Sequence, residues 1–140
     1  MKVLFTAEAL ATGDGRNGRA RSSDGRVDVD LAVPRELGGS GDGSNPEQLF
    51  AAGYAACFHS ALQMVAREAK SPLGESSAGA QVHFGPNDVG GFGLAVTLEV
   101  VIPDLPHDRA AELVAEAHQV CPYSNATRGN IDIELKVTDD

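Results

Sequence analysis

The chain has 140 residues, enough for one domain with its own core and too few for two. Hydrophobic residues make up 42% and charged residues 22%, a globular balance that argues against disorder. Acidic residues outnumber basic ones by 20 to 11, and the net charge of −9 repels phosphate backbones and anionic lipid, so neither a nucleic-acid partner nor a membrane partner is expected.

The N-terminal run Val3-Leu4-Phe5 is too short for a signal-peptide core and Glu8 interrupts it. No stretch of about 18 consecutive apolar residues occurs, so nothing is expected to span a bilayer. Two cysteines are too few for a secreted disulfide scaffold, and a cytoplasmic location is expected. Three strands are predicted first: Val3 to Leu10, Arg19 to Ser23, and 27–33. In the last of these, Val27, Val29, Leu31 and Val33 alternate with Asp28, Asp30 and Ala32. Gly13-Asp14-Gly15 and Asp24-Gly25 mark turns between them. Residues 34–44 read as a flexible glycine-rich crossover, and no Gly-Lys-Ser/Thr follows to make it a phosphate loop.

A long helix is predicted over 45–70. Asn45 suits the N-cap, Pro46 the first helical position, and Gln48 a capping box. At 100° per residue, Phe50, Gly53, Ala61 and Met64 fall within about 40° of Cys57, which puts Cys57 in the middle of the apolar stripe. The small-sided run Ala51 to Ala56 holds Gly53, whose cost in a helix suggests another backbone passing close by. Strands are predicted at 79–84 and 92–102, a second helix at 107–120 and a last strand from Ile131 to Val137. The order βββ-α-ββ-α-β is that of an α+β chain in a single domain over 1–140.

Two thiols, Cys57 and Cys121, lie 64 residues apart and can meet only through the tertiary fold. Cys121 falls at a helix C-terminus, where partial negative charge disfavours the thiolate, followed by the turn-forming Pro-Tyr-Ser-Asn. It suits a second thiol that attacks an oxidised first one. His59 points about 200° away from Cys57, and His118 shares a face with Cys121. No His or Cys spacing supports zinc, and no Gly-x-Ser-x-Gly elbow occurs. Buried structural cysteines and a general disulfide reductase remain alternative readings of the same residues.

The segments from Asn45-Pro-Glu-Gln-Leu-Phe to Cys57-Phe58 and from Cys121-Pro-Tyr-Ser to Asp132 resemble the organic hydroperoxide resistance branch of the OsmC-like superfamily. The resemblance extends over essentially the whole chain, including Ser22-Ser23-Asp24-Gly25 and Gly90-Gly91-Phe92-Gly93. It implies an OsmC-like fold with antiparallel sheets around a long central helix, in an intertwined homodimer. It also implies a thiol peroxidase with Cys57 peroxidatic, Cys121 resolving, Arg16 the active-site arginine and Glu47 its partner. The turn before Arg16 is one residue longer than the family's, and Arg19 and Arg21 lie nearby. Implied with it are an organic hydroperoxide substrate, no bound cofactor or metal, and recycling by a lipoylated protein carrying dihydrolipoamide. Phe50, Tyr54, Phe58, Met64 and Phe92 are the expected substrate contacts. Glu47 and Cys57 are ten residues apart, about 15 Å along one helix. An unbroken helix would therefore need the glutamate from a second copy, unless the helix begins after Glu47 or a loop carries it back.

Overall fold

The computed structural model of the protein describes residues 1–138. It divides into two units, Met1–Leu49 and Phe50–Asp140.

In the first unit, β1 (Ala9–Thr12), β2 (Arg19–Ser22) and β3 (Asp28–Asp30) form an antiparallel sheet in that order. The first strand is shorter than expected. Residues 1–8 lie outside any strand, and Val3, Leu4 and Phe5 are exposed, because β-forming residues make a strand only where an edge is offered to them. The loop between β1 and β2 is built by glycine: Gly13 has φ 84°, and a Cβ on Gly18 would collide with the Thr12 carbonyl oxygen. Residues 34–44, expected as a free crossover, are tied down. Ser44 donates to the Asp30 carbonyl and accepts from Ala32, and Gly41 donates to Val33.

Helix α1 (Pro46–Glu68) starts where Asn45 Oδ1 accepts the Gln48 N–H at 2.8 Å, as the sequence predicts. It is unbroken and includes Glu47, so a start after Glu47 does not hold. By length and composition α1 could cross a bilayer. Its apolarity has another explanation, since Tyr54, Phe58, Ala61, Leu62, Val65 and Ala66 are buried in the core of the second unit.

That second unit adds β4 (Ser77–Pro86), β5 (Phe92–Val101), α2 (His107–Val120), α3 (Pro122–Thr127) and β6 (Ile133–Thr138). The β4–β5 hairpin is antiparallel, but β6 pairs parallel to β5, against the expectation of antiparallel sheets. The chain passes through α2 and α3 between these strands, and a parallel return needs such a long crossover. Val96, Leu98 and Val100 of β5 pack with Leu113, Val114 and Ala117 of α2 and with the buried face of α1. Each large side chain buried there contributes about 1.5–3 kcal/mol. Helix α3 replaces the turn predicted after Cys121.

Candidate active site

Cys121 sits at the corner between two helices. Its N–H closes α2 on the Ala117 carbonyl at 2.9 Å, and its own carbonyl opens α3 by accepting from Asn125 at 3.0 Å. Pro122 cannot extend α2 and suits the first position of α3, so the chain turns at the cysteine. Cys121 thus caps the C-terminus of one helix, as the sequence predicts, and also the N-terminus of the next.

This corner brings Cys121 Sγ to 3.6 Å from Cys57 Sγ. Both thiols are free, Cys57 half-buried and Cys121 fully buried. A disulfide has sulfurs about 2.05 Å apart, so the two must approach by about 1.5 Å to bond. Cys57 lies at the edge of the buried face of α1, not in its middle as the helical wheel predicted, because the buried stripe runs through Tyr54, Phe58, Leu62 and Val65. That edge position keeps the sulfur accessible. Burial pushes the Cys57 thiol up from its ordinary value. The Tyr123 backbone N–H opposes the shift by hydrogen bonding to the sulfur, while the Cys121 thiol adds to it.

Tyr123 and Ser124 were not singled out from sequence; Pro122 directly after Cys121 was the available signal for a helix start there. The Tyr123 ring fills the space over Gly53, where an added Cβ would stand 2.8 Å from its hydroxyl. The glycine thus admits an aromatic ring from α3 rather than a neighbouring backbone. Phe50, Tyr54 and Tyr123 form an edge-packed cluster with centroids 5.7–6.2 Å apart. Tyr54 Oη lies 2.8 Å from Ser124 Oγ and 3.3 Å from Thr127 Oγ1, and His118 Nδ1 lies 2.8 Å from Ser124 Oγ. Burial lowers the His118 pKa, and Arg128 adds to the shift.

The expected substrate contacts fall in different environments. Tyr54 and Phe58 are fully buried and show no surface to a ligand in this conformation. Phe50 is half-buried, Met64 is 41% exposed, and Phe92 is 70% exposed and stacked on Phe84 at 4.9 Å. Among the described residues, no three His, Cys, Asp or Glu side chains converge where a metal ion could be held.

In the first unit the structure joins Arg16 to Glu47. Two parallel bonds, Nη1 to Oε2 and Nη2 to Oε1, are each 2.8 Å. Arg16 stands in the short 3-10 turn Gly15–Asn17, anchored where Asn17 Oδ1 accepts the Val33 N–H. Arg19 is instead paired with Asp28. The hydrogen bonds from Arg16 hold the Glu47 carboxyl below its usual range, against the opposing effect of burial. A depressed carboxyl pKa stabilises above the unfolded value and loses that contribution as pH falls through the folded one. Carbon-detected NMR titration should place the Glu47 midpoint below about 4.3, returning toward that value in Arg16→Ala. An identical midpoint in both proteins would mean that the fork does not persist in solution.

The OsmC-like protein family model matches residues 39–136. The chain is 57% identical to the organic hydroperoxide resistance protein of Xanthomonas axonopodis pv. citri, over 96% of this chain and 94% of that one. The chain belongs to the organic hydroperoxide resistance branch of the OsmC-like family. It is 46% identical to the organic hydroperoxide resistance protein OhrB of Bacillus subtilis, over 96% of this chain and 98% of the relative. A solved organic hydroperoxide resistance protein from Elizabethkingia anophelis superposes with TM-score 0.95 at 50% identity, each chain fully covered. One from Legionella pneumophila gives 0.94 at 51% identity, covering 98% of this chain and 99% of the other.

Proposed function

We propose that this chain is a cysteine-based peroxidase that reduces organic hydroperoxides to alcohols and is recycled by dihydrolipoamide. The observation carrying this reading is the pair of free thiols 3.6 Å apart, one half-buried and one fully buried. The more accessible sulfur, Cys57, suits the thiol that must meet a substrate.

In the first step the Cys57 thiolate attacks the terminal peroxide oxygen. The O–O bond breaks, the alkoxide leaves and takes a proton, and Cys57 becomes a sulfenic acid. In the second step the Cys121 sulfur attacks the Cys57 sulfur. The S–O bond breaks, water leaves, and a disulfide forms before further oxidation. Dihydrolipoamide then reduces that disulfide by thiol–disulfide exchange and becomes lipoamide. The Tyr123 N–H favours the thiolate that burial disfavours. Because α1 is unbroken and sets Glu47 about 15 Å along its axis from Cys57 of the same chain, the Arg16 held in a fork by Glu47 is proposed to act from a second copy of the chain on the thiolate and on the charge growing on the leaving oxygen. Phe50 and Met64 lie seven residues either side of Cys57 on α1, two turns away, and offer apolar surface to an alkyl chain. We further propose a homodimer, a reading supported by the family resemblance and by the unpaired, exposed Val3, Leu4 and Phe5.

Turnover coupled to oxidation of a reduced nicotinamide, NADH for lipoamide dehydrogenase and NADPH for the thioredoxin and glutaredoxin systems, tests this reading. Lipoamide with lipoamide dehydrogenase should sustain reduction of cumene hydroperoxide, whereas thioredoxin and glutaredoxin systems should not. Each buried methylene contributes about 0.8 kcal/mol, roughly fourfold in rate, so kcat/KM for an alkyl hydroperoxide should far exceed that for hydrogen peroxide. Equal values for the two peroxides would remove the apolar site from the proposal. No turnover with any dithiol would remove the peroxidase.

A further inference from the structure

Three elements meet at one buried hydroxyl. Ser124 lies on α3, one turn after Cys121, and is fully buried. Its Oγ is 2.8 Å from Tyr54 Oη, one turn before Cys57 on α1. The same Oγ is 2.8 Å from His118 Nδ1, one turn before Cys121 on α2. A hydroxyl has one proton and can accept others, so Tyr54 can donate to Ser124 while Ser124 donates to the neutral His118 ring. Burial keeps that ring in its neutral form, which can accept. The helices bearing the two thiols are thus cross-linked through Ser124, within one helical turn of each sulfur.

We propose that Ser124 is a positioning residue that holds the Cys121 sulfur against Cys57 and so sets the rate at which the Cys57 sulfenic acid closes to the disulfide. The inference rests on the peroxidase reading and adds a residue to its second step. Neither Ser124 nor Tyr54 gains or loses electrons. In closure the Cys57 S–O bond breaks, the S–S bond forms, and the Cys121 proton leaves with hydroxide as water. A short, directional bond at this node restricts sliding of α3 along α1, and a sulfur that must travel from 3.6 Å to bonding distance is sensitive to such sliding.

The test is rapid-quench mass spectrometry of the reduced full-length protein after one equivalent of cumene hydroperoxide, with dimedone to trap sulfenic acid. It measures sulfenic acid formation and disulfide closure separately. In Ser124→Ala, closure should slow about tenfold, the scale of one lost net hydrogen bond. Formation should slow far less, and excess peroxide should carry more Cys57 to sulfinic acid. Tyr54→Phe, which keeps the ring, should slow closure in the same direction and carries the test alone if Ser124→Ala does not fold. The double variant should be no slower than Ser124→Ala, because both changes cut one network. Wild-type closure rates in the single variants, an equal slowing of both steps, or multiplying effects in the double variant would each overturn the role of Ser124. A wild-type protein that forms no Cys57–Cys121 disulfide would instead overturn the peroxidase reading itself.

Discussion

Cys57→Ser is expected to lose peroxide reduction completely, including the first turnover, while Cys121→Ser completes one turnover and thereafter consumes only the further peroxide that over-oxidises Cys57. A serine hydroxyl is a far weaker nucleophile near neutral pH than a thiolate, and it cannot store the oxidising equivalent as a sulfenic acid. Cys121 is needed only afterwards. It is fully buried 3.6 Å from Cys57 and need not meet the peroxide. With serine there, the Cys57 sulfenic acid has no partner thiol, and excess hydroperoxide should carry it to the irreversible sulfinic state. The measurement is hydroperoxide consumed per chain without reductant, read beside the intact mass. A full equivalent consumed by Cys57→Ser would exchange or abolish the assigned roles. Sustained turnover by Cys121→Ser with lipoamide would show that the second thiol is dispensable.

Much of this arrangement was legible in the sequence because it is local. The Asn45 cap, the apolar period of α1, the apolar face of α2 and the alternation of the last strand each depend on residues within a few positions. What sequence reasoning missed depends on distant partners. Cys57 was centred on a stripe drawn from α1 alone. The true buried face is set by the β5 and α2 side chains packed against it, and that rotates Cys57 to the edge. Gly53 signalled a close approach correctly, but nothing near it in sequence says that the approaching group is the Tyr123 ring, 70 residues later. The six residues of α3 are too few for a periodic signal, and Ser and Asn in that run read as turn formers. The parallel pairing of β6 has no local signature at all, since the strand alternates as it would in either direction. The family was legible in the sequence, because the two cysteine motifs are long. Even so, only the structure distinguishes the arginine forked on Glu47 from the arginine bound to Asp28.

That distinction gives the second large expected effect. On the proposed mechanism, Arg16→Ala should lower kcat/KM for cumene hydroperoxide by about a hundredfold or more, the usual result of removing one preorganised charge that acts where anionic character develops. Arg16→Lys should recover only part of the loss. A lysine keeps the charge but presents a point donor, and the two parallel 2.8 Å bonds to Glu47 need a planar fork. Glu47→Gln should fall between wild type and Arg16→Ala, because the guanidinium remains but loses its charged anchor. Arg19→Ala serves as the control. Its bond to Asp28 is an exposed pair, screened by solvent, and activity should hold. A second readout separates electrostatics from misfolding. Burial pushes the Cys57 thiol up, so a cation acting on it should hold the alkylation midpoint lower in wild type than in Arg16→Ala. Measured in the Cys121→Ser background, that midpoint reports Cys57 alone. If Arg19→Ala rather than Arg16→Ala lost activity and raised the midpoint, the active-site arginine would be reassigned. If neither did, the thiolate would depend on the groups beside it, foremost the Tyr123 N–H.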